Sequence, residues 1–112
     1  MEIDITSLEK PSLFEKFKIQ THKDYELSGV LEYMPIITSN NLNKLKDDFY
    51  HSILKLELFD ALKNLLYRID ITELQIKQAC IKNPEIPLQH ILAELMIKRI
   101  LQKVVLKELY SK

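Results

Sequence analysis

Residues 90–110, HILAELMIKRILQKVVLKELY, contain neither glycine nor proline and read as one uninterrupted helix. Its apolar residues do not keep to one stripe. Ile91, Leu92, Leu95 and Met96 point one way, and Ile97, Ile100, Leu101 and Val104 point another. Begun at Leu88, such a helix spans about 35 Å at 1.5 Å per residue, comparable with the whole globule. Something must cover both faces.

Two sources of cover compete. In the first, this is the central helix of the domain, wrapped by a second long helix on one side and by the N-terminal segment on the other. In the second, another chain completes one face. Four apolar side chains left in water would forgo roughly 6 to 12 kcal/mol, more than a small domain can easily spare. The second long helix doubles its faces too, and this favours a shared interface. The expected contact surface is Ile97, Ile100, Leu101 and Val104, joined by Leu54, Leu58 and Leu65, with Lys98 and Lys103 at the rim.

That second helix follows the cluster Ser39, Asn40 and Asn41, any of which suits an N-cap. Leu42, Leu45, Phe49, Ile53 and Leu56 lie on one side of it, and Leu54, Leu58, Ala61, Leu62, Leu65 and Ile69 lie nearly opposite. Either one helix of about 28 residues buries different sides at its ends, or it bends near Leu56 to Leu58. Asp70 and Glu73 have capping-box spacing and open a shorter helix that Pro84 closes, with a stripe of Ile71, Leu74, Ala79 or Cys80, and Ile81. Pro87 suits the first turn of the last helix, where its missing N–H has no intrahelical acceptor.

The first third is less regular. MEIDIT, residues 1–6, alternates with a two-residue period, a weak strand signal. Pro11, Ser12 and Glu15 have the spacing of a short capped helix. FKIQTHKDYELSGVLEY, residues 17–33, alternates again around His22, Lys23 and Asp24, and reads as a β-hairpin lying on the helices. The expected fold is therefore mainly α: a three-helix or four-helix bundle-like single domain over residues 1–112. Residues 1–38 form a mixed segment with a β-hairpin option, and residues 39–112 form the helical core.

Composition supports a folded chain, at 46% hydrophobic and 29% charged, and a single glycine fits long helices better than a sheet with many tight turns. Sixteen basic and sixteen acidic residues cancel, so no global field draws the chain to nucleic acid or anionic lipid. The balance is uneven, with an acidic head and a basic tail that holds Lys98, Arg99, Lys103, Lys107 and Lys112. One cysteine, Cys80, excludes an intramolecular disulfide. MEIDITSLEK lacks the basic and apolar regions of a signal peptide, and no apolar run is long enough for a membrane span. A cytoplasmic or otherwise intracellular location is expected.

Signals for chemistry are sparse. His22, His51, His90 and Cys80 do not have zinc-site spacing. Asp47 and His51 share a helical face at i,i+4, which fits a solvated surface pair better than a metal or catalytic pair. Cys80 between Ala79 and Ile81 fits a small buried hydrophobe better than a nucleophile. Adjacent Asp47 and Asp48 point about 100° apart on a helix, and one glycine writes no phosphate-cradling loop. No catalytic, cofactor or metal residues are expected, and an enzyme built on Asp47, His51 and Cys80 would need them within hydrogen-bond reach.

Residues 71–95 have the gross shape of a helix-turn-helix that continues into Lys98, Arg99, Lys103 and Lys107. The leading end of the second helix is Leu88, Ile91, Leu92 and Leu95, however, where a recognition helix would present polar groups to bases. The expected function is a non-catalytic protein–protein interaction module, acting as a homodimer or as a small subunit, adaptor or inhibitor of a larger complex. The alternative is a small nucleic-acid-binding accessory protein using those four bases. No membrane partner is expected.

Overall fold

A computed structural model describes residues 4–110, which form two short 3-10 turns, at Ile5–Glu9 and Leu31–Tyr33, and five α-helices. These are α1 (Pro11–Leu27), α2 (Leu42–Leu58), α3 (Leu62–Ile69), α4 (Glu73–Lys82) and α5 (Leu88–Tyr110). The radius of gyration is 13.4 Å, as expected for about 100 residues.

α5 is the helix around which the others are arranged. It packs most extensively on α2, next on α1, and less on α4 and α3. Polar pairs give the directions. Lys46 of α2 reaches Glu94 at 3.4 Å, and the Tyr50 ring stacks on His90 at 4.2 Å, so α2 runs antiparallel beside the first half of α5. Asp24 meets Lys103 at 2.9 Å, Gln20 meets Lys107 at 2.5 Å and Lys16 pairs with Glu108, so α1 runs antiparallel beside the second half. The apolar face of α5 moves around the helix because its neighbour changes.

The same arrangement corrects the N-terminal expectation. Residues 17–27 are helical, no strand occurs among the described residues, and the β-hairpin does not form. The buried stripe of α1 is Phe17, Gln20, Thr21, Asp24 and Tyr25, a helical spacing. Three of those five are polar, so the stripe is invisible to a hydrophobic pattern, while Ile19 and Leu27, which created the apparent alternation, are exposed. Each buried polar group has a partner: Thr21 donates to the Phe17 carbonyl at 2.8 Å, Gln20 to Asp24 at 3.1 Å, and Lys103 to Asp24. Such pairing is what makes a polar seam compatible with burial. Of the MEIDIT strand, residues 1–3 lie outside the described residues, and Ile5–Glu9 is a 3-10 turn begun by Asp4, which accepts from the Thr6 N–H.

The long second helix is two helices, raising the count among described residues to five instead of three or four. Its break lies just beyond the Leu56 to Leu58 region where the apolar face changes. α2 buries Leu45, Phe49, Ile53 and Leu56; α3 then reorients so that Leu65 and Ile69 also reach the core. Asn41 caps α2 by accepting from the Lys44 N–H at 3.1 Å. Pro11 starts α1, so Ser12 is not its cap. The capping box of α4 is Thr72 with Gln75, because Asp70 closes α3 instead.

Three chain reversals share one hydrogen-bond pattern. After α1, Gly29 has φ +72°, its N–H bonds the Glu26 carbonyl and the next N–H bonds Tyr25. After α2, Asp60 has φ +54°, with bonds to Glu57 and from Ala61 to Leu56. After α3, Asp70 has φ +74°, with bonds to Tyr67 and from Ile71 to Leu66. All three are Schellman closures, in which a left-handed residue satisfies the last helical carbonyls. Glycine fills one of them and aspartate fills two.

Candidate interaction surface

Ile97, Ile100 and Leu101 are fully buried within the chain, as is Leu65, and Val104 is 3% exposed. Met96 and Leu92, with Ile97, Ile100 and Leu101, belong to one apolar cluster with Phe17, Tyr25, Phe49 and Ile53. Five of the seven residues expected to meet another chain are therefore occupied by the protein's own α1, α2 and α3. Leu54 and Leu58, one turn apart on the outer side of α2, are 40% and 77% exposed. They are the part of that surface that faces outward.

The four bases of the nucleic-acid alternative do not share a free face. Lys98 pairs with Glu94 at 2.8 Å, Arg99 with Asp70 at 2.9 Å, Lys103 with Asp24, and Lys107 donates to Gln20. Arg99 also donates to Gln102 at 2.8 Å, and Lys103 to the Arg68 carbonyl at 3.2 Å. Hydrogen bonding from Lys98 holds the Glu94 carboxyl below its usual range, against the opposing effect of its partial burial.

The candidate chemical groups are dispersed. His51 Nδ1 lies 3.7 Å from the Asp47 carboxylate and donates to the Asp47 backbone carbonyl at 2.8 Å, with both side chains largely in solvent. Cys80 is half-buried on α4, and His22 is exposed on α1. Among the described residues no three His, Cys, Asp or Glu side chains are grouped to hold a metal ion, and no helix is long and apolar enough to cross a membrane.

α4 is the unusual element. It has no buried residue, yet it is fixed by a complete capping box and by the Asn83 side chain donating to the Ala79 carbonyl at 2.9 Å. Ile76, Ala79 and Cys80 are half-buried, whereas Leu74 and Ile81 are 63% and 69% exposed. Of the expected stripe, Leu74 and Ile81 thus face outward, while Ala79 and Cys80 lie on the half-buried side and Ile71, just ahead of the helix, is buried. The spacing 76, 79, 80 and 83 is an equally helical stripe and is the sequence signal for the inward face.

A cleft lies on each flank of α4. One, about 560 Å³, runs between α4 and α5 and is lined by Ala79, Lys82, His90, Glu94 and Lys98, with Lys46 of α2 at its edge. The other, about 720 Å³, lies between α3 and α4 over Leu62, Leu66, Ile71 and Ile76. Its rim carries Glu57, Asp60, Asp70 and Glu73 against one lysine, Lys63. Both volumes fall in the range of ordinary binding clefts.

Compared with known families, with curated proteins and with solved structures, the chain finds no match.

Proposed function

We propose that this protein is a non-catalytic protein–protein interaction module whose binding surface is built on α4 and its flanks. The observation that carries the reading is the exposure of Leu74 and Ile81 on a helix that buries none of its ten residues. Ordering a residue's backbone costs about 1–2 kcal/mol, and α4 offsets little of this by core burial. A capped helix held out in that way offers a fixed apolar face two turns long. Leu54 and Leu58 give α2 a second outward apolar pair. The face is small, so the reading is of a subunit, adaptor or inhibitor that meets a partner, and the buried residues of α5 act by holding the scaffold.

The test is affinity capture from a lysate of the source organism, with the wild type beside a Leu74→Lys/Ile81→Lys variant. Both substitutions replace exposed side chains, so helicity by circular dichroism is expected to be unchanged. The reading expects a protein retained by the wild type and lost from the variant. A partner retained equally by both, or no partner retained by the wild type, would contradict it.

A further inference from the structure

We infer that the cleft between α3 and α4 receives an amphipathic helix with basic flanks from another protein. The inference rests on the module reading above and adds the chemistry of the partner. Its floor, Leu62, Leu66, Ile71 and Ile76, gives apolar side chains a place to be buried. No sheet edge is present among the described residues, so an incoming segment finds no strand to extend, and helix-in-groove docking is the recognition mode this surface fits. α3 has eight residues and is about 12 Å long, which matches apolar anchors at i, i+4 and i+7 spanning about 10 Å.

Charge selects the partner. Lys63 and the Arg99 that bonds Asp70 offset two of the four rim acids, leaving an excess of negative charge around the floor in a chain whose net charge is zero. Exposed rim charges contribute mainly to encounter rate and partner choice, so lysine or arginine beside the anchors is favoured and glutamate is rejected.

The backbone points to the same rim. The left-handed residue of a Schellman turn is ordinarily glycine, because an L side chain is strained there. This chain uses glycine at the closure after α1 and aspartate at the two closures bordering the cleft. Asp60 thus places a carboxylate on the rim at a turn position that does not itself require one, whereas the Asp70 carboxylate is held by Arg99. Asp60→Gly removes a rim charge while leaving the turn its most compatible residue, and Glu73→Gln removes another from the exposed first turn of α4.

The probe is a fluorescent helix-stabilised peptide of three to four turns, with leucine at i, i+4 and i+7 and lysine on the flanks. A second peptide keeps the leucines and carries glutamate instead of lysine. Anisotropy at low salt should show the lysine peptide binding at least about tenfold more tightly than the glutamate peptide. The Asp60→Gly/Glu73→Gln variant should weaken the lysine peptide about fivefold or more, with a melting temperature equal to or above wild type. Near 0.5 M salt, where screening is strong, that difference should shrink towards none. Equal affinity for both peptides, unchanged binding by the variant, or no binding of either peptide would overturn the inference. So would salt-sensitive self-association that the variant abolishes, which would make the occupant a second copy. A cellular partner lost from Leu74→Lys/Ile81→Lys but indifferent to Asp60→Gly/Glu73→Gln would leave the module reading standing and remove this one.

Discussion

Replacing Asp24 tests the polar seam that lets α1 cover α5. Its carboxylate is 2% exposed and accepts from Lys103 at 2.9 Å and from Gln20 at 3.1 Å. Asp24→Ala leaves an ammonium that is 19% exposed with the Arg68 carbonyl as its remaining acceptor, and frees the Gln20 amide. Breaking a buried ion pair from one side typically costs 3–5 kcal/mol, and the Arg68 carbonyl with partial solvent access moves the expected cost to about 2–4 kcal/mol. At roughly 4 °C per kcal/mol for a chain of this size, the melting temperature falls by about 8–16 °C. Lys103→Met should cost a similar amount, since it leaves Asp24 buried with the Gln20 amide alone. The double variant Asp24→Ala/Lys103→Met removes both charges and should recover about 2 kcal/mol relative to the sum of the singles. Urea unfolding followed by circular dichroism measures all four corners of the cycle. Additive single effects, or an Asp24→Ala variant within about 0.5 kcal/mol of wild type, would refute the seam as a source of stability.

Tyr25 gives a pH signature. Its hydroxyl donates to Ser52 Oγ at 2.7 Å, because the Ser52 proton is spent on the Tyr33 carbonyl at 2.6 Å, and burial pushes the phenol well above its ordinary range. A raised folded-state value contributes stability that is complete below about pH 10 and is lost as pH rises towards that value, by up to ~1.4 kcal/mol per pH unit. Tyr25→Phe should therefore be less stable than wild type by about 1 kcal/mol at pH 8, and urea titrations at pH 10 and 11 should show the gap closing; a constant gap would contradict the assignment. Thr72→Ala removes the side chain that accepts from the Gln75 N–H at 3.1 Å and should lower stability by about 1 kcal/mol. Hydrogen exchange should place that loss in α4, with the amides of α5 less affected; uniform acceleration through the chain would mean that α4 is not a separately opening unit.

Helices α2, α3 and α5 were legible because their buried faces are apolar, and the change of face near Leu56 to Leu58 marked where α2 gives way to α3. The doubled face of α5 was legible too, but its cause was not. Covering Ile97 to Val104 from within the chain depends on α1, whose buried face includes the polar Gln20, Thr21 and Asp24. Thr21 is satisfied within its own helix by the Phe17 carbonyl, whereas Gln20 and Asp24 are made compatible with burial by partners distant in sequence, Lys107 and Lys103. The two-residue alternation at Phe17, Ile19 and Thr21 then favoured a strand by default. On α4 the expected stripe mixed two faces: Leu74 and Ile81 are strongly hydrophobic yet exposed, while Ala79 and Cys80 lie on the half-buried side with Ile76, which that stripe left out. The cleft between α3 and α4 is assembled from the end of α2, α3 and the start of α4. Its acids are spread over residues 57–73, so no local motif announces it.

The central claim is that the chain itself covers Ile97, Ile100, Leu101 and Val104 of α5, so that Ile100 is a core residue and not an interface residue. Ile100→Asp places a charge where the side chain is 0% exposed, against a total stability of about 5–15 kcal/mol. Circular dichroism and sedimentation velocity on this variant, across a wide concentration range, test that claim most directly. The account predicts a chain that has lost its helical signal and cooperative melting at every concentration. A folded Ile100→Asp protein with near-native helicity, differing from wild type only in its state of association, would contradict it.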